Sequence, residues 1–464
     1  MRRVLAVITV TLVAAGLIGV QSVTAGAGGG GKVPGVTKTE IRVGGYASPP
    51  NDTLNVAYPD GFDGVEAYFE RINKKGGVFG RDLKLVAKLS DQGQASTGAI
   101  TVRNLVEEKN VFAVLPIMTN SFTLGGKYLS DNDVPGFGIN VEPAWCGTAD
   151  EQAAIETALI ENEEIQQCPR DSLFGEKGSF LCFECPGVAP SYIAMQEGFT
   201  KVAVFGYTHI SSAKCVNGVT AGFEKYNIEV AHANQALEFG FSVTEIAADI
   251  QAMKDEGVQF VATCMEFNGG FKISEGLRQA GVNDVVFYAP EGYKQSTLDK
   301  AGDALENWIF RLGFAPWHGQ DLPKGTKAFL KAMKKRGVEP SEHNQAGWIN
   351  AALLVEGIEA AGEDFDRASV IAAINEITDF TADGMLPPIG WQPGGGGHGA
   401  GYEACDVYEQ VQDGEFVTIY GQPGQPFVCF ALTPALPDVL TPYFRPLKAG
   451  ETAPTLVPEA GVQP

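Results

Sequence analysis

The sequence predicts an α/β protein built of two doubly wound parallel-sheet lobes joined by a multi-strand hinge. Short apolar runs alternate with amphipathic helical patterns over most of the chain, which is typical of parallel sheets covered on both faces. The alternation breaks between residues 149 and 190 and then resumes, which indicates a second unit of the same kind. With 464 residues, 44% hydrophobic and 19% charged, the chain is long enough for two such units.

The chain begins like an export signal. Arg2 and Arg3 precede an uncharged run over residues 4–20, and a small-residue stretch ends at Ala27. This pattern predicts a signal peptide over residues 1–27, followed by a Gly-rich linker over 28–38. A membrane anchor is the competing interpretation, although an apolar run of about 17 residues is near the lower limit for a span. We therefore expect a periplasmic or secreted protein.

The first lobe is predicted over residues 39–187 and 316–380. Its predicted strands are 41–46, 83–89, 111–115 and 135–139. In its first predicted helix, Val65, Tyr68, Phe69 and Ile72 share a face. The other predicted helices are 97–108, 124–130, 324–336, 344–361 and 367–377. Residues 145–187 are predicted to be a cysteine-containing insertion in this lobe.

The second lobe is predicted over residues 188–315 and 381–432. Its predicted strands are 201–206, 229–235, 258–264, 285–289, 308–314, 407–411 and 416–420, and its helices are 213–226, 243–256 and 272–280. Residues 433–464 form a Pro-rich tail with little periodicity, which we expect to lie along the surface or to be disordered.

Eight cysteines in an exported chain favour disulfides. Cys405 and Cys429 flank two strand-like runs and are the first predicted pair. Cys215 with Cys264 is a second hypothesis, and the four cysteines between 146 and 185 are expected to pair among themselves. The Cys-x-x-Cys spacing at 182–185 also fits half of a zinc site, but no second such pair accompanies it. We predict neither a metal nor a cofactor.

Charge and motifs exclude several function classes. A formal net charge of −22 repels phosphate backbones and anionic lipid, so nucleic acid is not an expected partner. No GxSxG, HExxH or GxxxxGK[ST] motif occurs, and the five histidines lack ligand spacing. We predict no catalytic residue.

Loops at the carboxyl ends of the predicted strands hold the candidate ligand-binding residues. Thr119, Asn120 and Ser121 precede a helix, where hydroxyl and N–H groups can hold a carboxylate, although helix capping explains such residues equally well. Ser211 presents the same choice. Glu291 follows the strand 285–289 and fits either a ligand ammonium or a solvated turn.

Two aromatic residues in these loops are candidates for the wall of an apolar side-chain pocket. Tyr58 lies near the first strand, and Phe267 follows the strand 258–264. Each fits a pocket wall, the hydrophobic core or the rim of a site.

Three stretches of the chain resemble a known family. They are AYFERINKKGGVFGR at 67–81, YAPEG at 288–292 with AGDA at 301–304, and the helical stretch 346–362. Together they resemble the leucine/isoleucine/valine-binding receptors of branched-chain amino acid ABC importers, which are type I periplasmic binding proteins. The resemblance runs from about residue 39 to 417.

The resemblance implies roles for particular residues. Ser121 matches a serine that holds the ligand carboxylate, and Glu291 matches the glutamate that takes the ligand ammonium. Tyr58 resembles an aromatic that covers the ligand side chain, and Phe267 lies near a second such position. Pro116 departs from the family, which usually has glycine there.

A second departure concerns the stretch from Asn140 to Glu142, which replaces a small or hydroxyl residue of the family. Glu142 and Glu266 would add negative charge to the cleft. The resemblance therefore implies a ligand with more positive charge or more hydroxyl groups than leucine.

The resemblance also implies the overall function. We expect a monomeric, non-enzymatic receptor that captures an amino acid or amide-like solute by hinge closure and delivers it to a membrane ABC permease. An amide- or urea-binding protein and a ligand-sensing domain on the same fold are alternatives. A secreted hydrolase is a further alternative.

Overall fold

The structure is a computed structural model that describes residues 33–50, 57–119, 122–162, 166–176, 178, 183–319, 321–393, 395–400, 403–422, 424–431 and 443–445. The predicted signal peptide, residues 28–32 of the linker and most of the Pro-rich tail lie outside the described residues.

The helices and strands alternate along the chain, as the hydrophobic pattern predicted. The strands are β1 (Glu40–Ala47), β2 (Asp82–Ser90), β3 (Ala113–Met118), β4 (Gly136–Gly138), β5 (Gln166–Gln167), β6 (Leu173–Gly175), β7 (Lys201–Tyr207), β8 (Glu229–Leu237), β9 (Phe260–Cys264), β10 (Val286–Ala289), β11 (Ile309–Leu312), β12 (Gly399–Ala400), β13 (Glu403–Gln412), β14 (Glu415–Ile419), β15 (Phe427–Ala431) and β16 (Tyr443–Arg445). The helices are α1 (Asp60–Asn73), α2 (Ala95–Arg103), α3 (Thr123–Asp131), α4 (Ala149–Asn162), α5 (Val188–Glu197), α6 (Ile210–Lys225), α7 (Ala247–Glu256), α8 (Phe267–Gln279), α9 (Gln295–Ala301), α10 (Lys324–Arg336), α11 (Glu342–Ala361) and α12 (Arg367–Ile374).

The first lobe is built on a parallel sheet with the strand order β2-β1-β3-β4-β6. Ala113 and Leu115 of β3 pack in one core cluster with residues of α1 and α11. Val114 and Ile117 of the same strand pack in another cluster with residues of α2 and α3. The sheet is therefore covered on both faces, which explains why the central strand β3 is apolar and buried along its whole length, whereas the edge strand β2 alternates between buried and exposed residues.

The second lobe has the strand order β8-β7-β9-β10-β11-β13, followed by β15 and β16. The strands from β8 to β11 are parallel, whereas β13 pairs antiparallel with β11 and also with β14 and β15. Two core clusters belong to this lobe. The predicted fold class is confirmed: two parallel-sheet lobes occur in one chain.

The chain passes between the lobes several times. It enters the second lobe after β6, returns after β11 and enters again at β13. Met385 and Trp391, which the sequence pattern assigned to the second lobe, pack in a core cluster that holds residues of α1, α11, β11 and β13. The ring of Trp391 packs against Phe174 of β6, with 5.2 Å between ring centroids.

Disulfide bonds cross-link segments within each lobe. Cys146 is bonded to Cys168, Cys215 to Cys264, and Cys405 to Cys429. Cys185 is also disulfide-bonded. The second and third of these pairs are the two that the sequence pattern proposed. Cys405 and Cys429 face each other on the antiparallel strands β13 and β15.

In the described part of the chain, no helix is both long enough and apolar enough to cross a membrane. The longest, α11, packs its buried side chains against the first sheet and α1.

Helices α1 and α11 cross at glycine contacts. A Cβ atom on Gly64 would lie 1.7 Å from the backbone oxygen of Asn344, and one on Gly347 would lie 2.1 Å from the backbone oxygen of Gly61. Backbone oxygens cannot move aside as the end of a side chain can. The close approach of these two helices therefore requires glycine.

We predict that Gly64→Ala lowers the free energy of unfolding by about 1–3 kcal/mol or more, because the added methyl group forces the helices apart. Denaturant unfolding measures this change. Gly270→Ala in α8 is the matched control, since its Cβ would meet only side-chain atoms, of which the nearest is the Thr263 methyl group at 3.2 Å. Equal losses in the two variants would contradict the proposed helix contact.

Candidate functional site

Polar residues meet at the carboxyl ends of the first-lobe strands. Ser48 follows β1, Asp91 follows β2 and Thr119 follows β3. The Ser48 hydroxyl lies 3.0 Å from Asp91 Oδ2, and the Thr119 hydroxyl donates to the same oxygen. The Gly93 N–H donates to Asp91 Oδ1 at 2.8 Å. Asp91 is fully buried, so these donors replace the water that its carboxylate would otherwise bind.

Glu142 follows β4 at the same edge of the sheet and is only 2% exposed. The Thr123 hydroxyl donates to its Oε2 at 3.3 Å. Its Oε1 lies 3.5 Å from Nε2 of His209, which directly precedes α6 in the second lobe. Glu142 therefore connects the strand ends of the two lobes.

The second lobe contributes two carboxylates at its own strand ends. Glu266 follows β9, and its Oε1 accepts a hydrogen bond of 2.6 Å from the Tyr207 hydroxyl at the end of β7. Its Oε2 accepts the Asn268 N–H at 2.5 Å, which caps α8. Burial raises the pKa of Glu266. Glu291 follows β10, and its Oε1 accepts the Phe267 N–H at 3.4 Å.

His343 of α11 lies beside Glu291. Its Nε2 is 3.8 Å from Glu291 Oε2. Burial lowers the pKa of His343 to about 4, with a further lowering from Lys294 that Asp60 opposes. The imidazole is therefore neutral at pH 7 and does not compensate the charge of Glu291.

Tyr58 joins the two halves of the site. Its ring packs edge-on against His343, with 4.8 Å between ring centroids. Burial raises the pKa of Tyr58 well above its usual value, and Glu291, Glu266 and Asp91 raise it further. His343 of the first lobe thus lies between Tyr58 and Glu291 of the second lobe, and together with the Glu142–His209 contact this places the strand ends of the two sheets opposite each other.

The site is strongly acidic. It holds Asp91, Glu142, Glu266 and Glu291, and in the described part of the chain neither Asp91 nor Glu266 forms an ion pair with a lysine or arginine. Buried carboxylates without a cation are costly unless a bound group supplies one. The arrangement therefore suits a ligand with an ammonium or other cationic group.

The structure places the sequence-predicted residues in different surroundings. Tyr58, Thr119, Glu142 and Glu291 lie at the facing strand ends described above. Asn120 and Ser121 lie outside the described residues. Ser211 is 8% exposed in the first turn of α6, and its hydroxyl has no hydrogen-bond partner.

Asn140 and Phe267 have other contacts. The Asn140 side chain donates a hydrogen bond of 2.8 Å to the Gly178 backbone oxygen, so it connects the loop after β4 to the cysteine-containing segment. Phe267 is fully buried and packs against Trp308 and Phe310. Its ring belongs to the core rather than to a pocket wall, because the Glu266 cap starts α8 at this residue.

Sequence reasoning missed Ser48, Asp91, Tyr207, His209 and His343. Asp91 directly follows a strand, as Glu291 does, and that position was the available signal. His343 lies on a helix far from the other site residues in sequence, and no local pattern marks it. Among the described residues, no group of three or more His, Cys, Asp or Glu side chains could hold a metal ion.

A family model described as "Periplasmic binding protein" matches residues 56–159 and 185–414. The sequence has no match among curated proteins.

Solved structures share the fold at low identity. A leucine binding protein of Thermotoga maritima MSB8 has a TM-score of 0.63 and 16% identity, covering 82% of this chain and 97% of that one. A solute binding protein of R. palustris in complex with benzoate has a TM-score of 0.61 and 15% identity, covering 82% and 95%. A fatty acid ABC transporter substrate-binding protein of Thermomonospora curvata has a TM-score of 0.63 and 14% identity, covering 84% and 93%. At these identities the likeness concerns the fold alone.

The neutral state of His343 predicts a pH dependence of stability. Its pKa in the folded protein, about 4, is below the ordinary value of 6.5, so the unfolded chain binds the proton more readily. The contribution of neutral His343 to the free energy of unfolding is therefore full above pH 6.5 and is lost as the pH falls toward 4. The loss is at most about 1.4 kcal/mol for each pH unit.

Between pH 6.5 and 4, we expect the free energy of unfolding to decrease less in the His343→Gln variant than in the wild type. Denaturant unfolding across that pH range measures both decreases. Identical pH dependence of the two proteins would show that His343 is not held neutral.

Proposed function

Since the chain belongs to the periplasmic binding protein family, we propose that it is the extracytoplasmic solute receptor of an ABC importer and that it captures an amine-bearing small molecule between its lobes. An amino acid is the first candidate, and amide-like solutes are related ones. The receptor binds its solute without turnover, acts as a monomer and delivers the solute to a membrane permease. The proposed hinge consists of the segments that join the two sheets.

The acidic character of the cleft is the observation that carries the proposed ligand class. Glu291 and Glu266 lie at neighbouring strand ends, and the nearby His343 is neutral at pH 7. A ligand ammonium between these carboxylates forms charge-assisted hydrogen bonds in a site poor in water. The structural relatives include a leucine binding protein, a solute binding protein in complex with benzoate and a fatty acid ABC transporter substrate-binding protein. Of these, leucine carries an ammonium group, which the acidic cleft favours.

Two features support the proposed location. The sequence begins with the pattern of a signal peptide. The disulfides Cys146–Cys168, Cys215–Cys264 and Cys405–Cys429 fit an oxidising compartment outside the cytoplasm.

The proposal predicts that Glu291→Gln weakens binding of an amine-bearing solute by about tenfold to over a hundredfold, because a hydrogen bond to a charged group is worth about 1.5–3 kcal/mol. A thermal-shift screen over amino acids, amides and amines identifies the solute. Isothermal titration then compares the wild type with the variant.

Glu224→Gln is the matched control, since Glu224 is exposed on α6 away from the strand ends. Its affinity should equal that of the wild type. An unchanged affinity in Glu291→Gln would remove Glu291 from the binding site and leave the ligand class without support.

A further inference from the structure

A side-chain contact outside the ligand site also connects the two lobes. Glu156 of α4, in the cysteine-containing segment of the first lobe, is hydrogen-bonded through its Oε2 to Nζ of Lys214 on α6 of the second lobe. The Glu156 side chain is 4% exposed and that of Lys214 is 17% exposed. The ion pair is therefore largely removed from water.

The Glu156 end of this contact is fixed to the first lobe. The disulfide Cys146–Cys168 closes the segment around α4, and the Cys168 N–H donates to the His398 backbone oxygen at 2.9 Å. The Asn375 side chain donates to the Asp171 backbone oxygen at 3.0 Å. The family match passes over residues 160–184, so Cys168 and Asp171 lie outside the shared part of the fold.

The Lys214 end is fixed to the second lobe beside the ligand site. Lys214 directly precedes Cys215, which is bonded to Cys264 at the end of β9. The Ser212 hydroxyl donates to the Cys264 backbone oxygen and accepts the Tyr207 N–H at 2.6 Å. Movement of Lys214 relative to the first lobe therefore moves the strand end that holds Glu266.

The carboxylate of Glu156 depends on Lys214 for its charge balance. Its second oxygen, Oε1, is buried without a hydrogen-bond partner. Burial raises the pKa of Glu156, and the lowering effect of Lys214 only partly opposes this. A buried carboxylate in such surroundings is strongly disfavoured when its cation is removed.

We propose that Glu156 and Lys214 form an interlobe clasp, in which the lobes come together only while Lys214 compensates the Glu156 carboxylate. When the lobes separate, both groups return to water. The clasp goes beyond solute binding, because it sets the balance between open and closed forms of the protein without any solute.

Removing the lysine and removing the glutamate of the clasp should have different effects on the balance between open and closed protein. Lys214→Met leaves a buried carboxylate without its cation in the closed form, so the open form becomes favoured. Glu156→Gln removes the charge that needs compensation, and the remaining Lys214 ammonium keeps some contact with water. The double variant, which has neither charge, should close like the wild type.

The test measures the distance between the lobes in the solute-free protein by pulsed electron paramagnetic resonance. Because no described cysteine is free, the spin labels are attached to non-natural amino acids at the exposed positions Ile100 of α2 and Asp255 of α7. Thermal unfolding of each variant establishes that it is folded.

We expect Lys214→Met to raise the ratio of open to closed protein by about fivefold or more. Glu156→Gln and the double variant should stay near the wild-type ratio. Lys127→Met is the control, since Lys127 forms an exposed ion pair with Asp131 within the first lobe. An unchanged ratio in Lys214→Met, or a double variant as open as Lys214→Met, would overturn the clasp. Because no solute is present, either result is independent of the proposed ligand class.

Discussion

Negative charge buried where the two sheets face each other is the constraint on which the rest of the structure depends. Parallel strands deliver Asp91, Glu142, Glu266 and Glu291 to this place by their carboxyl ends. Hydroxyl and backbone N–H donors hold Asp91 and Glu266, but such donors do not cancel a charge. A ligand ammonium, as we propose, would supply a positive charge to Asp91 and Glu266, which form no ion pair with a lysine or arginine among the described residues.

The elements around the cleft limit how its carboxylates can move. On the second-lobe side, Cys215–Cys264 joins α6 to the strand that precedes Glu266. In the first lobe, the glycine contacts between α1 and α11 set the distance between these helices, and α11 begins with Glu342 and His343 beside the cleft. The acidic residues are thus attached to rigid parts of each lobe. The main motion that remains possible is that of one lobe relative to the other. The proposed Glu156–Lys214 clasp acts on this motion.

Local sequence patterns predicted the sheets and several residues that lie at their facing strand ends. The alternation of apolar strands and amphipathic helices gave the fold class, and a position after a strand marked Glu291. Contacts between distant segments were not predictable in this way. Trp391, which the sequence pattern assigned to the second lobe, packs against Phe174 of the first lobe, more than 200 residues away in sequence. The cap at Glu266 starts a helix one residue later, and the ring of Phe267, for which the loop pattern left a pocket wall, the core and the rim open, is fully buried in the core. No local sequence pattern marks His343 or the pair of Glu156 with Lys214, because their contacts form only when distant segments of the chain fold together.

The most direct test of the central claim compares amines with the same molecules lacking the amine. Melting temperatures of the purified protein are measured with leucine against isocaproate and with phenylalanine against 3-phenylpropanoate, so that the two members of each pair differ only in the amine. The account predicts that stabilisation, where it occurs, comes from the amine member of a pair, because only that member supplies the missing positive charge. Stabilisation by the deaminated acids alone would contradict the claim that the cleft selects a cationic group.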